Sequence, residues 1–132
     1  MNSSEARGGS DRPGAPEPGA SARVRTELRA AGTTVSAVLG DLDLDGLALV
    51  GPPLEEALAG APAALCIDLA GVGFCDSSGL NLLLRLRIGA ERRGVPFRLA
   101  APRPQVQRLF ELTGADTVFQ VFDSVEEACG AR

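Results

Sequence analysis

Residues 64–80 read ALCIDLAGVGFCDSSGL. Ala64 to Leu69 form an almost unbroken apolar run, the pattern of a strand buried on both faces of a sheet. Gly71 and Gly73 interrupt it, and Asp76, Ser77 and Ser78 then precede a leucine-rich stretch that ends with Arg93 and Gly94. Strand, glycine-bearing loop and capped helix in that order predict a strand-to-helix junction of an α/β sheet. Ser and Asp in front of a helix are caps first, and Asp76 and Ser77 both suit that role. A hydroxyl here also sits at the positive end of the helix, beside backbone N–H groups that the helix itself leaves unpaired, where a phosphate can be received. The residues alone leave both readings open.

On the N-terminal side, 24–30 (VRTELRA) and 34–40 (TVSAVLG) alternate in the period-2 pattern of half-buried strands, with Val35, Ala37 and Leu39 on one face. A glycine turn between them predicts a hairpin. The stretch 40–53 (GDLDLDGLALVGPP) reads as an acidic loop, and 52–60 (PPLEEALAG) as a short helix opened by its prolines. On the C-terminal side come a strand in 95–101, a helix in 103–114 stopped by Gly114, and a strand in 118–122. A last helix is opened by the Ser124-x-x-Glu127 capping box. The order β-β-α-β-α-β-α-β-α predicts a single α/β domain over residues 22–130. Its mixed, mostly parallel sheet of about five strands begins with the hairpin and is flanked by about four helices. Residues 1–21, rich in Gly, Pro, Ser and charge, are expected to form a disordered tail.

The 132 residues carry a formal charge of −4, and all 13 basic residues are Arg. That balance argues against nonspecific nucleic-acid binding, which needs a basic patch. The chain has no His, which excludes a Ser-His-Asp triad, and the serines do not sit in G-x-S-x-G, so the expectation is a protein that is not an enzyme. Cys66, Cys75 and Cys129 have no CxxC spacing and read as reduced thiols. No stretch approaches the roughly 20 apolar residues of a membrane span, and a cytoplasmic protein is expected. Asp68 in the apolar strand reads as structural. Asp41, Asp43 and Asp45 suit a solvated turn or a functional acidic loop equally well, and they offer too few ligands for a metal site to be assigned. In the leucine-rich helix, Leu80, Leu84 and Ile88 fall on one stripe and Leu82, Leu83, Leu86 and Ala90 on its neighbour. Both stripes are expected in the core, unless part of that surface, beside Asn81 and Arg85, docks another protein.

Three segments, 40–43 (GDLD), 67–80 (IDLAGVGFCDSSGL) and 99–128 (LAAPRPQVQRLFELTGADTVFQVFDSVEEA), resemble the STAS domain of bacterial anti-sigma factor antagonists over about residues 22–129. The resemblance implies a noncatalytic phospho-switch with Ser77 as acceptor. Its unphosphorylated form binds an anti-sigma factor that is also a serine kinase and so releases a sigma factor; a serine phosphatase reverses the modification. Asp41 and Asp43 match the family's acidic loop, and Asp76, Ser78, Gly79, Leu80, Asn81 and Arg85 complete the implied partner-binding set. No cofactor is implied for this chain, since ATP and Mg²⁺ belong to the kinase. The sequence departs from the family at Asn81, at Cys75 and in 44–53, which adds Asp45. The alternative is a STAS scaffold or transporter-associated module, serving a lipid-transport ATPase or a signalling complex without phosphorylation.

Overall fold

A computed structural model describes residues 22–131, so the expected tail at 1–21 lies outside the described residues. The strands are β1 (Arg23–Leu28), β2 (Thr33–Leu39), β3 (Ala64–Gly71), β4 (Phe97–Ala100) and β5 (Gln120–Phe122). The helices are α1 (Leu44–Ala59), α2 (Ser77–Arg93), α3 (Pro104–Thr113) and α4 (Val125–Gly130). The five strands form one sheet in the order β1-β2-β3-β4-β5. β1 runs antiparallel to β2, and the other neighbours are parallel. The α/β architecture expected from the sequence is therefore the one observed.

The central strand β3 sends its residues to opposite faces, and each face has its own apolar cluster. Leu65, Ile67 and Leu69 join Val38, Leu99 and the inner sides of α1, α2 and α3, including Leu54, Leu83 and Phe110. On the other face Cys66 meets Val35, Ala100 and Ala128 beneath α4. Three helices thus cover one face and a single short helix covers part of the other. That arrangement is why β3 needs its continuous apolar run.

Three local expectations are corrected. α1 begins at Leu44, well before Pro52, and carries both prolines inside it. Val50, Leu54 and Leu58, spaced by four and all fully or nearly fully buried, hold it against the core on both sides of the prolines. The carbonyls that Pro52 and Pro53 leave unpaired belong to Ala48 and Leu49, which are exposed, so water can satisfy them. In β2 the fully buried residues are Ser36 and Val38 rather than Ala37 and Leu39. The larger helical layer lies over the Ser36–Val38 face, and Ser36 can be buried there because its hydroxyl meets Thr26 Oγ1 at 2.9 Å. Finally, β1 is not half-buried along its length: Leu28 is 74% exposed at the sheet edge.

Candidate functional site

The site is built where two loops leave the carboxyl ends of neighbouring parallel strands. Residues 40–43 lead from β2 into α1, and residues 72–76 lead from β3 into α2. A one-residue parallel bridge, Leu42 to Cys75, ties them together. Leu42 N donates to Phe74 O at 2.8 Å, and Asp76 N donates to Leu42 O at 3.2 Å. Both bridging side chains are buried. The acidic loop is thereby fixed against the serine loop.

Glycine at position 79 is what allows this approach. A Cβ there would lie 2.3 Å from Leu42 O and 2.9 Å from Cys75 Sγ, a backbone atom and a buried group that have no room to retreat. On its far side the serine loop is held by α3. Gln105 Oε1 accepts from Cys75 N at 3.0 Å, and Gln105 Nε2 donates to Cys75 O at 3.1 Å, so one side-chain amide clamps one residue's backbone twice. Arg103 Nε adds a 2.7 Å bond to Ala70 O at the end of β3. Neither Arg103 nor Gln105 stands out in the sequence. Their segment carries the family resemblance, but no local pattern tells a clamping amide from a helix-surface one.

Asp76 is the N-cap of α2, which decides between the two cap candidates. Its Oδ1 accepts from Ser78 N at 2.9 Å and from Gly79 N at 3.2 Å. Two of the N–H groups expected to receive a phosphate, those of Ser78 and Gly79, are therefore already taken by a carboxylate. Ser77 follows as the first helical residue and is exposed; Ser78 is half-buried. Asp43 caps α1 in the same manner, accepting from Gly46 N at 2.8 Å. Asp41 and Asp43 are half-buried and Asp45 is exposed. Ser77 is thus presented on a rigid platform whose surroundings are acidic.

Gly79 and Leu80 are buried, so they serve the site by packing rather than as contact surface. Asn81 and Arg85 are exposed. At a 100° step per residue, Ser77, Asn81, Leu84, Arg85 and Ile88 occupy one arc of about 100° on α2. Ile88 is 44% exposed and Leu84 half-buried, so this stripe is not wholly core, whereas Leu82, Leu83, Leu86 and Ala90 are. Phe74 (43% exposed), next to Cys75, and Leu44 (71% exposed), two residues after Leu42, are exposed apolar residues close in sequence to the bridge. Exposed aromatic and aliphatic groups clustered beside polar ones are the makings of a protein-docking face. Sequence reading missed both, because nothing local shows which loop apolar residues stay uncovered.

Cys75 lies under this surface and is chemically quiet. Burial pushes its thiol up to about 12, and the Asp76 carboxylate acts in the same direction. It stays protonated at neutral pH and is a poor nucleophile. Among the described residues, no helix is long and apolar enough to cross a membrane.

The family model described as Mlab, STAS domain, matches residues 24–122. An anti-sigma-F factor antagonist, RsfB of Mycobacterium tuberculosis, is 32% identical over 99 residues, covering 74% of this chain and 79% of that protein. The crystal structure of an anti-sigma factor antagonist from Mycobacterium paratuberculosis superimposes with a TM-score of 0.76 at 28% identity, covering 83% of this chain and 92% of that one. The Bacillus cell-fate determinant SpoIIAA in its phosphorylated form shares the fold, with a TM-score of 0.63 at 23% identity over 80% of this chain and 96% of that one.

Proposed function

Because the chain belongs to the STAS-domain family of anti-sigma factor antagonists, we propose that it is itself an anti-sigma factor antagonist, switched by phosphorylation of Ser77. In this reading the unphosphorylated form docks on an anti-sigma factor that is also a serine kinase, and a sigma factor is freed. Transfer of a phosphoryl group to Ser77 ends the interaction, and a serine phosphatase restores it. The chain contributes no catalysis; the kinase supplies ATP and Mg²⁺.

The observation that carries this reading is the setting of Ser77: exposed, first in its helix, on a loop clamped from both sides. A phosphoserine adds roughly −1.5 to −2 charges at neutral pH. With the N–H groups of Ser78 and Gly79 held by Asp76, the dianion does not find the cap position vacant. It stays on a surface that already carries Asp41, Asp43, Asp45 and Asp76. The switch then works by charge and bulk presented to the partner, with the fold unchanged. Asn81, Leu84, Arg85 and Ile88 continue the same face along α2, and Phe74 and Leu44 offer it apolar anchors.

The test is capture of partners from native cytosol with wild type, Ser77→Ala and Ser77→Asp in parallel, read by mass spectrometry. The alanine variant should hold the kinase persistently, while the aspartate variant should lose it by more than about tenfold, a difference of roughly 1.4 kcal/mol. Equal capture by all three would overturn the switch. It would favour instead a module that binds without phosphorylation.

A further inference from the structure

On the face of the sheet turned away from α2, two of the chain's cysteines belong to one small cluster. Cys66 is fully buried in β3 with Val35, Ala100 and Ala128, and Phe122, Val125 and Cys129 pack against that group. In α4, Val125, Ala128 and Cys129 stand at i, i+3 and i+4, so they share the stripe turned to the sheet. Ala128 is the fully buried member of the stripe, and with only a methyl group at the contact the helix backbone lies close on the strands. Both cysteines are free thiols.

Arg98 links the two. It is the register partner of Cys66 on β4, so its side chain leaves the sheet on the same face. Its Nη1 donates to Ala128 O at 3.3 Å, the carbonyl just before Cys129. Arg98 is only 5% exposed, and its Nε is a buried donor with no hydrogen-bond partner among the described residues. A buried N–H left unpaired is costly, so this one calls for an acceptor. Burial pushes the Cys66 thiol up to about 12. Cys129 is the next cause, ahead of Asp68 two residues along the same strand, while Arg98 and Arg29 act the other way. The second thiol is thus the neighbour that Cys66 feels most strongly.

We propose that Cys66 and Cys129 are a peroxide-sensitive dithiol that closes into a disulfide pinning α4 to β3, with the free N–H of Arg98 serving the sulfur as it becomes anionic. Their exposure divides the roles. Cys129 is half-buried and within reach of a small oxidant, whereas Cys66 is fully enclosed. The Cys129 sulfur attacks hydrogen peroxide: an S–O bond forms, the O–O bond breaks, and the departing hydroxide takes the thiol proton and leaves as water. The peroxide is reduced and the sulfur is oxidised to a sulfenic acid. The Cys66 sulfur then displaces that oxygen. The S–S bond forms, the S–O bond breaks, and the Cys66 proton leaves with the oxygen as a second water. A charge-assisted bond from Arg98 holds the reacting sulfur. The pair lies across the sheet from Ser77, so it does not depend on the proposed switch.

The test treats the reduced 132-residue chain with hydrogen peroxide, alkylates remaining thiols in denaturant and maps peptides by mass spectrometry. Wild type should lose two hydrogens and yield a Cys66–Cys129 cross-linked peptide, reversed by dithiothreitol, while the buried Cys75 is recovered alkylated. The closed form ties off a loop of roughly 60 residues and should melt about 10 °C higher than the reduced form. Three variants, with folding checked by circular dichroism, separate the steps. Cys66→Ala should stop at a Cys129 sulfenic acid, trapped by dimedone. Cys129→Ala should leave Cys66 unreacted. Arg98→Lys keeps the charge but removes the Nε donor, and should close about tenfold more slowly. A wild type whose Cys66 stays alkylatable after peroxide overturns the proposal. So does a disulfide joining two copies through Cys129, a closed form that melts lower, or a closing rate that Arg98→Lys leaves unchanged.

Discussion

The start of α1, Leu42-Asp43-Leu44-Asp45-Gly46, and the start of α2, Cys75-Asp76-Ser77-Ser78-Gly79, are built on one plan. Each begins with a buried bridging residue, and the two bridging residues pair with each other. Each has an aspartate N-cap whose Oδ1 accepts from the glycine three residues on. Each glycine sits where a Cβ would strike backbone, 2.1 Å from Asp41 O at Gly46 and 2.3 Å from Leu42 O at Gly79. In both, the first helical residue faces solvent. They differ in what stands there: an apolar Leu44 followed by an acid, against a hydroxyl followed by a hydroxyl. The geometry of the helix start is therefore not what marks the site. It is a structural solution used twice, and only one copy presents a group that can accept a phosphoryl.

The comparison is broken most severely at the glycines. Gly79→Ala and Gly46→Ala each force a methyl into backbone with no flexible neighbour to yield. Each should cost roughly 3 kcal/mol or more, a fall of more than about 10 °C in Tm for a domain of this size. Thermal melts of the two variants should show similar losses if the two helix starts are structurally equivalent. A mild effect at one position alone would show that its loop can relax and that the likeness of the two loops is superficial.

The caps come next. Asp43→Ala gives up one backbone hydrogen bond and should cost about 1 kcal/mol; Asp76→Ala gives up two and should cost toward 2 kcal/mol. Urea unfolding midpoints at constant slope read the difference. Asp76 also allows a sharper test. In wild type, phosphorylation of Ser77 sets a dianion beside an occupied cap and should slightly lower Tm. In Asp76→Ala the same phosphate finds N–H groups vacant and should raise it, because the helix terminus favours negative charge. The same sign in both proteins would mean that Asp76 does not exclude the phosphate from the cap.

How much of this is legible in the sequence depends on whether the signal is local. The apolar run 64–69, the Gly94 stop and the Ser124-x-x-Glu127 box state their roles within a few residues, and the structure bears them out: Gly94 ends α2 in the left-handed conformation, and Glu127 N donates to Ser124 Oγ at 3.1 Å. The start of α1 is misplaced by sequence reading because two prolines are strong local punctuation. The competing signal, Val50-Leu54-Leu58, becomes decisive only once a core exists to receive those residues. The burial pattern of β1 and β2 depends on which face the larger helical layer covers, which no single strand encodes. The clamp by Gln105 joins positions 30 residues apart, and only the fold brings them together. That Asp76, and not a later phosphate, fills the helix terminus is a matter of side-chain rotamer. The sequence places both groups there and is silent on which one occupies the cap.

Leu44→Ser is the gentlest intervention and the most discriminating. Leu44 is 71% exposed, so the change should alter stability by no more than about 0.5 kcal/mol. It places a hydroxyl at the first position of α1 in nearly the same backbone setting as Ser77, behind the same kind of aspartate cap. If the kinase of the proposed switch recognised the helix start alone, the variant would gain a second phosphorylated site. The expected result is a single phosphate, at Ser77, by intact-mass and peptide analysis. The reason lies further along each helix: the exposed arc beyond Ser77 carries Asn81, Leu84, Arg85 and Ile88, while that beyond Leu44 carries Ala48, Pro52 and Glu55. An arginine and an amide on one side, against a proline and a carboxylate on the other, give a docking partner grounds to choose. Incorporation at position 44 would show instead that the loop alone is recognised, and that the α2 face contributes nothing to the choice.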